Sequence, residues 1–230
     1  MTNDKTFSTR FSSDHFSWID MGSLNSVADN KTEFDMIRMN DDFFWSSGMY
    51  AVRFGSNDAN MAVFEKTEQT VSSELFDGDV YTILDTGASE IYISALYFED
   101  FINMFFQMNK VDSDNFVATN ATVSSTKCYG SDDFKSVFFA IDNMWLEVRP
   151  EDYMTHDKAT TTCKFAFKGI DAPFNIIGLP IYMDYYVSHF WNECEEGSNC
   201  STMAFNSNGR DIKEAPKKLE NFSTNNILMN

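Results

Sequence analysis

The chain has 230 residues, of which 43% are hydrophobic and 16% aromatic, so it can bury a sizeable core. Its formal net charge of −18 at pH 7 makes nucleic acid a poor partner, because phosphate binding needs clustered Lys and Arg. No run of about 18 apolar residues occurs, so the sequence predicts no membrane span. The excess carboxylates suit an acidic compartment, where protonation relieves their repulsion, and solubility alone explains them equally well.

Short apolar runs separated by turn-rich stretches predict an all-β chain. In chain order, the strand candidates are residues 34–39, 49–55, 61–64, 80–84, 137–141, 163–167 and 174–177. Several of these runs alternate between apolar and polar residues, as half-buried strands do. Residues 139–148 favour a hairpin that turns at Asp142 and Asn143. We therefore expect a β sandwich or barrel.

One segment, residues 95–109, breaks the strand pattern. Its apolar residues recur at helical spacing, which predicts an amphipathic helix with Ser94 as its N-cap. We interpret the aromatic stripe of this helix as core packing. The chain as a whole divides into a polar segment (residues 1–15), a domain (residues 16–208) and a polar tail (residues 209–230).

The cysteines suggest disulfides rather than a metal site. Neither a CxxC pair nor a histidine cluster occurs, so we expect no metal. An even count fits two disulfides, with buried free thiols as the alternative. The four cysteines are Cys128, Cys163, Cys194 and Cys200, the last two closing a short polar loop.

Four Asn-x-Ser/Thr sequons, at Asn30, Asn120, Asn199 and Asn221, add to the cysteines in favouring the secretory pathway. The first residues of the sequence lack the apolar segment of a signal peptide. We therefore expect either a cytosolic protein or a piece of a longer precursor.

Residues 81–93 read YTILDTGASEIYI and place one carboxylate, Asp85, between two apolar runs. Burying a lone carboxylate is costly, so the neighbouring residues should stabilise it. Gly87 permits a tight turn, and its N–H and the Ser89 hydroxyl can donate hydrogen bonds to the carboxylate. The pattern favours a rigidly held general acid or base. The alternative is a structural Asx-turn that ends a strand.

The flanks of this motif resemble the active-site sequence of the pepsin-like aspartic proteases (peptidase A1). The resemblance is to the C-terminal lobe and runs from about residue 16 to residue 205. Upstream, FFWSSGMYAVRF (residues 43–54) resembles the strand that precedes the second Asp-Thr-Gly of that family. Downstream, VFFAIDNMWLEVRPEDYM (residues 137–154) and FNIIGLPIYMDYYVSHF (residues 174–190) resemble the hairpin and the strand that completes the ψ-shaped loop.

This resemblance implies an all-β lobe of antiparallel sheets with a few short helices, in which Asp85 is the catalytic aspartate. Thr86 would brace the catalytic pair through hydrogen bonds between lobes, and Gly87 and Ser89 would hold the carboxylate. Cys128 and Cys163 have a spacing close to that of the disulfide of that lobe.

The resemblance also implies a substrate-binding wall and a substrate class. Ile83, Ile176 and Phe44 would line an apolar pocket on the primed side of a bound peptide. Ala88 stands where the family often has Thr or Ser, which removes a hydroxyl that would contact the substrate backbone. The implied substrate is an extended polypeptide, hydrolysed at acidic pH without a cofactor. The implied location is a lysosome or vacuole, or the extracellular space.

The mechanism of the family uses two aspartates, one from each lobe, whereas the sequence contains one Asp-Thr-Gly. Three explanations stay open. The chain can be the second half of a two-lobed endopeptidase, which needs an N-terminal lobe as its partner. It can pair with a second copy, as retroviral-type proteases do. It can also be a pepsin-like peptide-binding module without catalysis.

Overall fold

The structure is a computed structural model that describes residues 6–11, 17–21, 35–38, 44–55, 61–64, 80–110, 116–119, 122–125, 131, 134–142, 144–160, 162–183, 185–191, 201–206 and 227–229. Three of the four cysteines (Cys128, Cys194 and Cys200) and the asparagines of all four sequons lie outside these residues, and so does most of the predicted tail. The predictions that concern them stay predictions.

The described residues form seventeen strands and three helices, so the predicted all-β fold is confirmed. The helices are α1 (Ala95–Asn109), α2 (Pro150–Tyr153) and α3 (Leu179–Tyr182). None of the helices in this part of the chain is long and apolar enough to cross a membrane. The strands are β1 (Thr6–Arg10), β2 (Trp18–Met21), β3 (Asp35–Arg38), β4 (Ser46–Phe54), β5 (Met61–Phe64), β6 (Val80–Leu84), β7 (Ile91–Ser94), β8 (Phe116–Thr119), β9 (Thr122–Ser125), β10 (Val137–Ile141), β11 (Met144–Val148), β12 (Met154–Asp157), β13 (Thr162–Ile170), β14 (Asn175–Ile177), β15 (Tyr186–Phe190), β16 (Thr202–Asn206) and β17 (Ile227–Met229).

Two sheets organise these strands. The smaller sheet has the order β2-β1-β15-β16-β3 and is antiparallel throughout. The larger sheet follows the path β11-β10-β4-β6-β14-β7-β13-β9-β8, with β5, β12 and β17 attached to its sides. Every predicted strand run therefore falls on a strand of the structure.

The centre of the larger sheet has a ψ-shaped arrangement of three strands. β14 lies between β6 and β7, parallel to β6 and antiparallel to β7. The chain thus leaves β6, makes a turn at residues 85–90, enters β7, and returns much later to fill the gap with β14. The position of residues 85–90 consequently depends on a strand that is distant in sequence.

The core lies beneath this sheet and is rich in aromatic side chains. Helix α1 has the predicted bounds, and the N–H of Leu96 donates to the Ser94 side chain, so the predicted N-cap is confirmed. Phe101 and Phe105 are fully buried and pack edge-on against Phe167. The aromatic stripe is therefore core packing, as its helical spacing predicted.

The predicted hairpin is confirmed as β10 paired with β11, with Ile141 opposite Met144. Asp142 has a positive φ of 53°, the conformation that a two-residue hairpin turn of this kind requires. Asp is one of the residue types that adopt it at low cost.

Two strands lie outside the domain bounds that the sequence suggested. β1 falls within residues 1–15 and pairs with β15, so Thr6–Arg10 is part of the smaller sheet. β17 falls within residues 209–230 and pairs in parallel with β5. Both strands are short and gain their hydrogen bonds from distant partners, so local sequence patterns did not predict them.

Gly178 lets the end of β14 approach the turn at residues 85–90. A Cβ at this position would overlap with the carbonyl oxygens of Ala88 and Glu90, which are backbone atoms and cannot swing away. Only a residue without a side chain fits, so Gly178 fixes the packing at the centre of the ψ arrangement.

We predict that Gly178→Ala destabilises the fold by about 3 kcal/mol or more, because the added methyl group forces the backbone apart. Urea unfolding followed by circular dichroism measures this free energy. Gly87→Ala is the matched control, since its nearest neighbour is a side-chain oxygen of Asp85 at 3.1 Å. That variant should stay within about 1 kcal/mol of the parent. Equal losses in the two variants would contradict the assignment.

A second buried feature is the imidazole of His189 on β15. It stacks on Phe7 with ring centroids 4.2 Å apart and meets the edge of Trp45 at 4.9 Å. Its Nδ1 atom is buried and has no hydrogen-bond partner among the described residues. Burial lowers the pKa of His189 from 6.5 to about 4, and a hydrogen bond with the Phe7 backbone opposes part of that shift.

Between pH 6.5 and pH 4, His189 is mostly protonated in the unfolded chain and mostly neutral in the folded chain. This group therefore stabilises the fold less as the pH falls through that window, by about 3 kcal/mol in total. We predict that, between pH 7 and pH 4, the His189→Phe variant loses about 3 kcal/mol less unfolding free energy than the parent protein does. Urea unfolding across this range measures it, and unfolding at pH 8 isolates the packing change. An unchanged pH dependence would refute the prediction.

Candidate active site

Asp85 lies directly after β6, with its side chain exposed at the open end of the ψ arrangement. The N–H of Asp85 donates to the carbonyl of Ile177 at 3.0 Å, and the N–H of Leu84 donates to the carbonyl of Trp45 at 2.7 Å. The backbone that carries the carboxylate is therefore bonded on both sides to neighbouring strands. The side chain itself projects from a rigid support into solvent.

The turn after Asp85 orients its carboxylate. The Gly87 N–H donates to Asp85 Oδ1 at 2.8 Å, as predicted from the sequence, and the Ala88 N–H donates to the Asp85 carbonyl at 3.2 Å. Ser89 is exposed, and in the described part of the chain its hydroxyl makes no hydrogen bond to the carboxylate. The anticipated Ser89 bond is thus not formed, because the turn points both side chains into solvent. Thr86 is half-buried beside Asp85.

A buried polar network connects the three strands of the ψ arrangement. Asn175 on β14 accepts the Ser94 N–H at 2.9 Å through Oδ1 and donates to the Thr82 hydroxyl at 3.3 Å through Nδ2. Ser94 ends β7 and Thr82 lies on β6, so one side chain joins all three strands. All three residues are fully buried, where a lost partner would leave an unsatisfied polar group.

The structure brings together the residues predicted to contact substrate. Ile176 lies directly opposite Ile83 in the register of β14 with β6. Ser46 is paired with Ile83, so Phe44, two residues earlier, lies beside the start of the Asp85 turn and is 54% exposed. Ala88 is half-buried, and its carbonyl accepts the Leu179 N–H at 2.7 Å.

The sequence did not reveal other residues that surround this site. Tyr182 on α3 is fully buried, and its hydroxyl has no hydrogen-bond partner in the part of the chain that the structure describes. Burial raises its pKa, with the charge of Asp85 as a second cause. Glu90, the last residue of the turn, accepts hydrogen bonds from Tyr92 and Lys168. Glu90 and Tyr92 belong to the motif that we singled out, but Lys168 comes close only through the parallel pairing of β13 with β7.

Away from the site, Cys163 on β13 is fully buried and disulfide-bonded. Its partner lies outside the described residues. Ser125 on β9 is directly opposite Cys163 in the sheet.

Chemically, the site offers one solvated carboxylate with a fixed backbone donor and an apolar wall beside it, while the other carboxylate of the same turn, Glu90, is engaged by Tyr92 and Lys168. Such a group can act as a general acid or base when a reacting group is brought within hydrogen-bond distance. The wall formed by Ile83, Ile176 and Phe44 is suited to an apolar side chain of an extended ligand.

The comparison with protein families agrees with this geometry. No curated protein matches the chain at a significant level. The family model described as "Eukaryotic aspartyl protease" matches residues 6–202, which is most of the chain and includes β1. Aspartyl proteases hydrolyse peptide bonds in polypeptides, and the ψ-shaped site with its Asp-Thr-Gly turn fits that chemistry. This chain therefore belongs to the eukaryotic aspartyl protease family.

Proposed function

We propose that this chain is the C-terminal lobe of an aspartic endopeptidase and that Asp85 supplies one of its two catalytic carboxylates. The observation that carries the proposal is the exposed Asp85 side chain, whose carboxylate accepts the Gly87 N–H. The backbone N–H of Asp85 donates to Ile177 on β14, which holds the turn in place. A reacting carboxylate needs this combination of rigid support and access.

In the proposed reaction a second aspartate comes from another lobe, because the sequence contains one Asp-Thr-Gly. Two carboxylates held close together cannot both ionise cheaply, so they share a proton and hold a water between them. One carboxylate takes a proton from the water as it attacks the scissile carbonyl. The other protonates the carbonyl oxygen, and no covalent intermediate forms. Thr86 braces the pair, and Gly87 and Ser89 complete the turn around Asp85.

Exposed apolar side chains support contact with a second lobe. Ile19 and Met21 lie on β2, at one edge of the smaller sheet, and are 63% and 82% exposed. An edge strand with apolar side chains is a ready surface for association. The proposed partner is an N-terminal pepsin-like lobe.

The proposal predicts that the chain alone does not cleave a denatured protein substrate at about pH 4, whereas the chain assembled with a pepsin-like N-terminal lobe does. Asp85→Asn should lower that activity by roughly 10²–10⁴-fold, since general acid–base catalysis is lost. Pepstatin-type inhibitors should block it. Asp100→Asn, an exposed aspartate on α1, is the matched control and should leave the rate unchanged.

Three outcomes would change the proposal. Full activity of the assembled Asp85→Asn variant would reject Asp85 as a catalytic residue. Activity of the isolated chain that rises with the square of its concentration would show that a second copy supplies the other aspartate. A stable partner complex that Asp85→Asn leaves intact, without cleavage in any assembly, would identify a binding module.

We also propose that the partner of Cys163 is Cys128, and that Cys194 pairs with Cys200. Ser125 lies opposite Cys163, and Cys128 follows it by three residues, so a short stretch of chain spans the gap. Disulfides form in oxidising compartments, which supports a secretory, lysosomal or vacuolar location.

Mass mapping of the unreduced protein should recover the Cys128–Cys163 peptide pair. Removing this bridge with Cys163→Ser should lower the unfolding free energy by about 2–4 kcal/mol. Cys128→Ser should cost a similar amount, and the double variant should cost little more than either one. Four free thiols in the native protein, or a bridge from Cys163 to Cys194 or Cys200, would contradict the pairing.

A further inference from the structure

A polar cluster lies at one end of the apolar wall beside Asp85. Tyr92 donates to Glu90 Oε2 at 2.9 Å, and Lys168 Nζ lies 2.8 Å from the same oxygen. The Glu90 and Lys168 side chains remain 24% and 30% exposed. We call Glu90, Tyr92 and Lys168 the polar trio. It is partly open to solvent and thus accessible to a ligand.

The sheet register places the polar trio in line with the apolar wall. Lys168 is opposite Tyr92, Tyr92 is opposite Ile176, and Ile176 is opposite Ile83. Residues directly opposite one another in a sheet share a face, so these four side chains form one row across β13, β7, β14 and β6. The row changes from apolar beside Asp85 to polar at its far end.

The alternation of burial shows which face carries the row. All four members are half-buried. Their chain neighbours Leu84, Ile91, Ile177 and Phe167 point the other way and are buried in the core. The row is therefore on the outer face of the sheet, and Ile83 at its apolar end lies two residues before Asp85. Neighbouring strands are about 5 Å apart, so the polar trio begins roughly 10 Å from Ile83.

We propose that the polar trio is a specificity site that selects a carboxamide side chain, Asn or Gln, in the polypeptide substrate. This inference rests on the proposed protease function. Side chains on one side of an extended peptide repeat about every 7 Å, so one peptide can reach both ends of the row. An apolar residue then contacts Ile83 and Ile176 while a residue further along contacts the trio.

The hydrogen-bonding capacity of the trio explains the choice of a carboxamide. Both recorded bonds use Glu90 Oε2, and within the described residues Oε1 accepts no bond. Lys168 keeps further N–H donors. A carboxamide can donate to Oε1 and accept from Lys168 at the same time. A charged side chain would meet one attractive and one repulsive partner while losing its hydration.

The test compares two peptide substrates that differ only by Gln or Met, placed in turn at each position on either side of the scissile bond. For the assembled protease, we expect a roughly 10-fold higher kcat/KM with Gln at one position, which corresponds to about one additional pair of hydrogen bonds. Lys168→Met and Glu90→Met should reduce this ratio to about one. In both variants, kcat/KM for the Met peptide should fall by less than kcat/KM for the Gln peptide.

Lys164→Met is the matched control, because Lys164 lies on the same strand and is exposed. It should keep the full preference for Gln. A preference that survives in Lys168→Met, or no preference for Gln at any position in the parent protein, would overturn the inference. Equal losses for both peptides would also overturn it, since they would show that the trio only stabilises the turn.

The catalytic role of Asp85 is tested separately from the specificity of the polar trio. Cleavage of the Met peptide, and its loss in Asp85→Asn, tests catalysis without involving the trio. If no assembly cleaves either peptide, the proposed function fails. Calorimetry then measures binding of the same peptides with a reduced scissile bond, and the ratio of the two affinities, Gln to Met, replaces the ratio of kcat/KM values. Absence of binding by both peptides would overturn the specificity site as well.

Discussion

The approach of Gly178 to the carbonyl oxygens of Ala88 and Glu90 is the constraint on which the site depends. It allows the Leu179 N–H to bond the Ala88 carbonyl, and it brings Ile177 to the N–H of Asp85. The turn that carries the carboxylate is thereby held by β14, a strand that is distant from it in sequence. Asn175 secures the same strand from inside the core. A side chain at position 178 would separate all of these contacts together.

Local sequence signals were sufficient for much of the fold. The runs that became β5, β6 and β10 were identified at their true bounds because strand alternation is a short-range property. The α1 helix and its Ser94 cap followed from helical spacing and capping chemistry. The Asp142 turn followed from the conformational tolerance of its residue type. Each of these features depends on residues that are close in sequence.

The remaining features depend on pairing between distant segments. Lys168 comes close to Glu90 only because β13 runs parallel to β7, which no local pattern encodes. The residues of β1 have a polar sequence without a strand pattern, and they form a strand because β15 provides their hydrogen-bond partners. At the site, the Asp-Thr-Gly turn predicted Asp85 and the Gly87 bond, but the orientation of Ser89 depends on how the turn lies against β14. The sequence did not predict that Tyr182 lies near the site, because its position depends on tertiary packing alone.

The burial of His189 against Phe7 and Trp45 has a consequence for refolding after exposure to acid. A chain that unfolds between pH 6.5 and pH 4 acquires a proton on this imidazole, and it releases that proton when the ring packs again on the face of Phe7 and the edge of Trp45. The folded state is therefore favoured less within that pH window than at neutral pH. Refolding of acid-treated material should be more favourable after neutralisation than at pH 4.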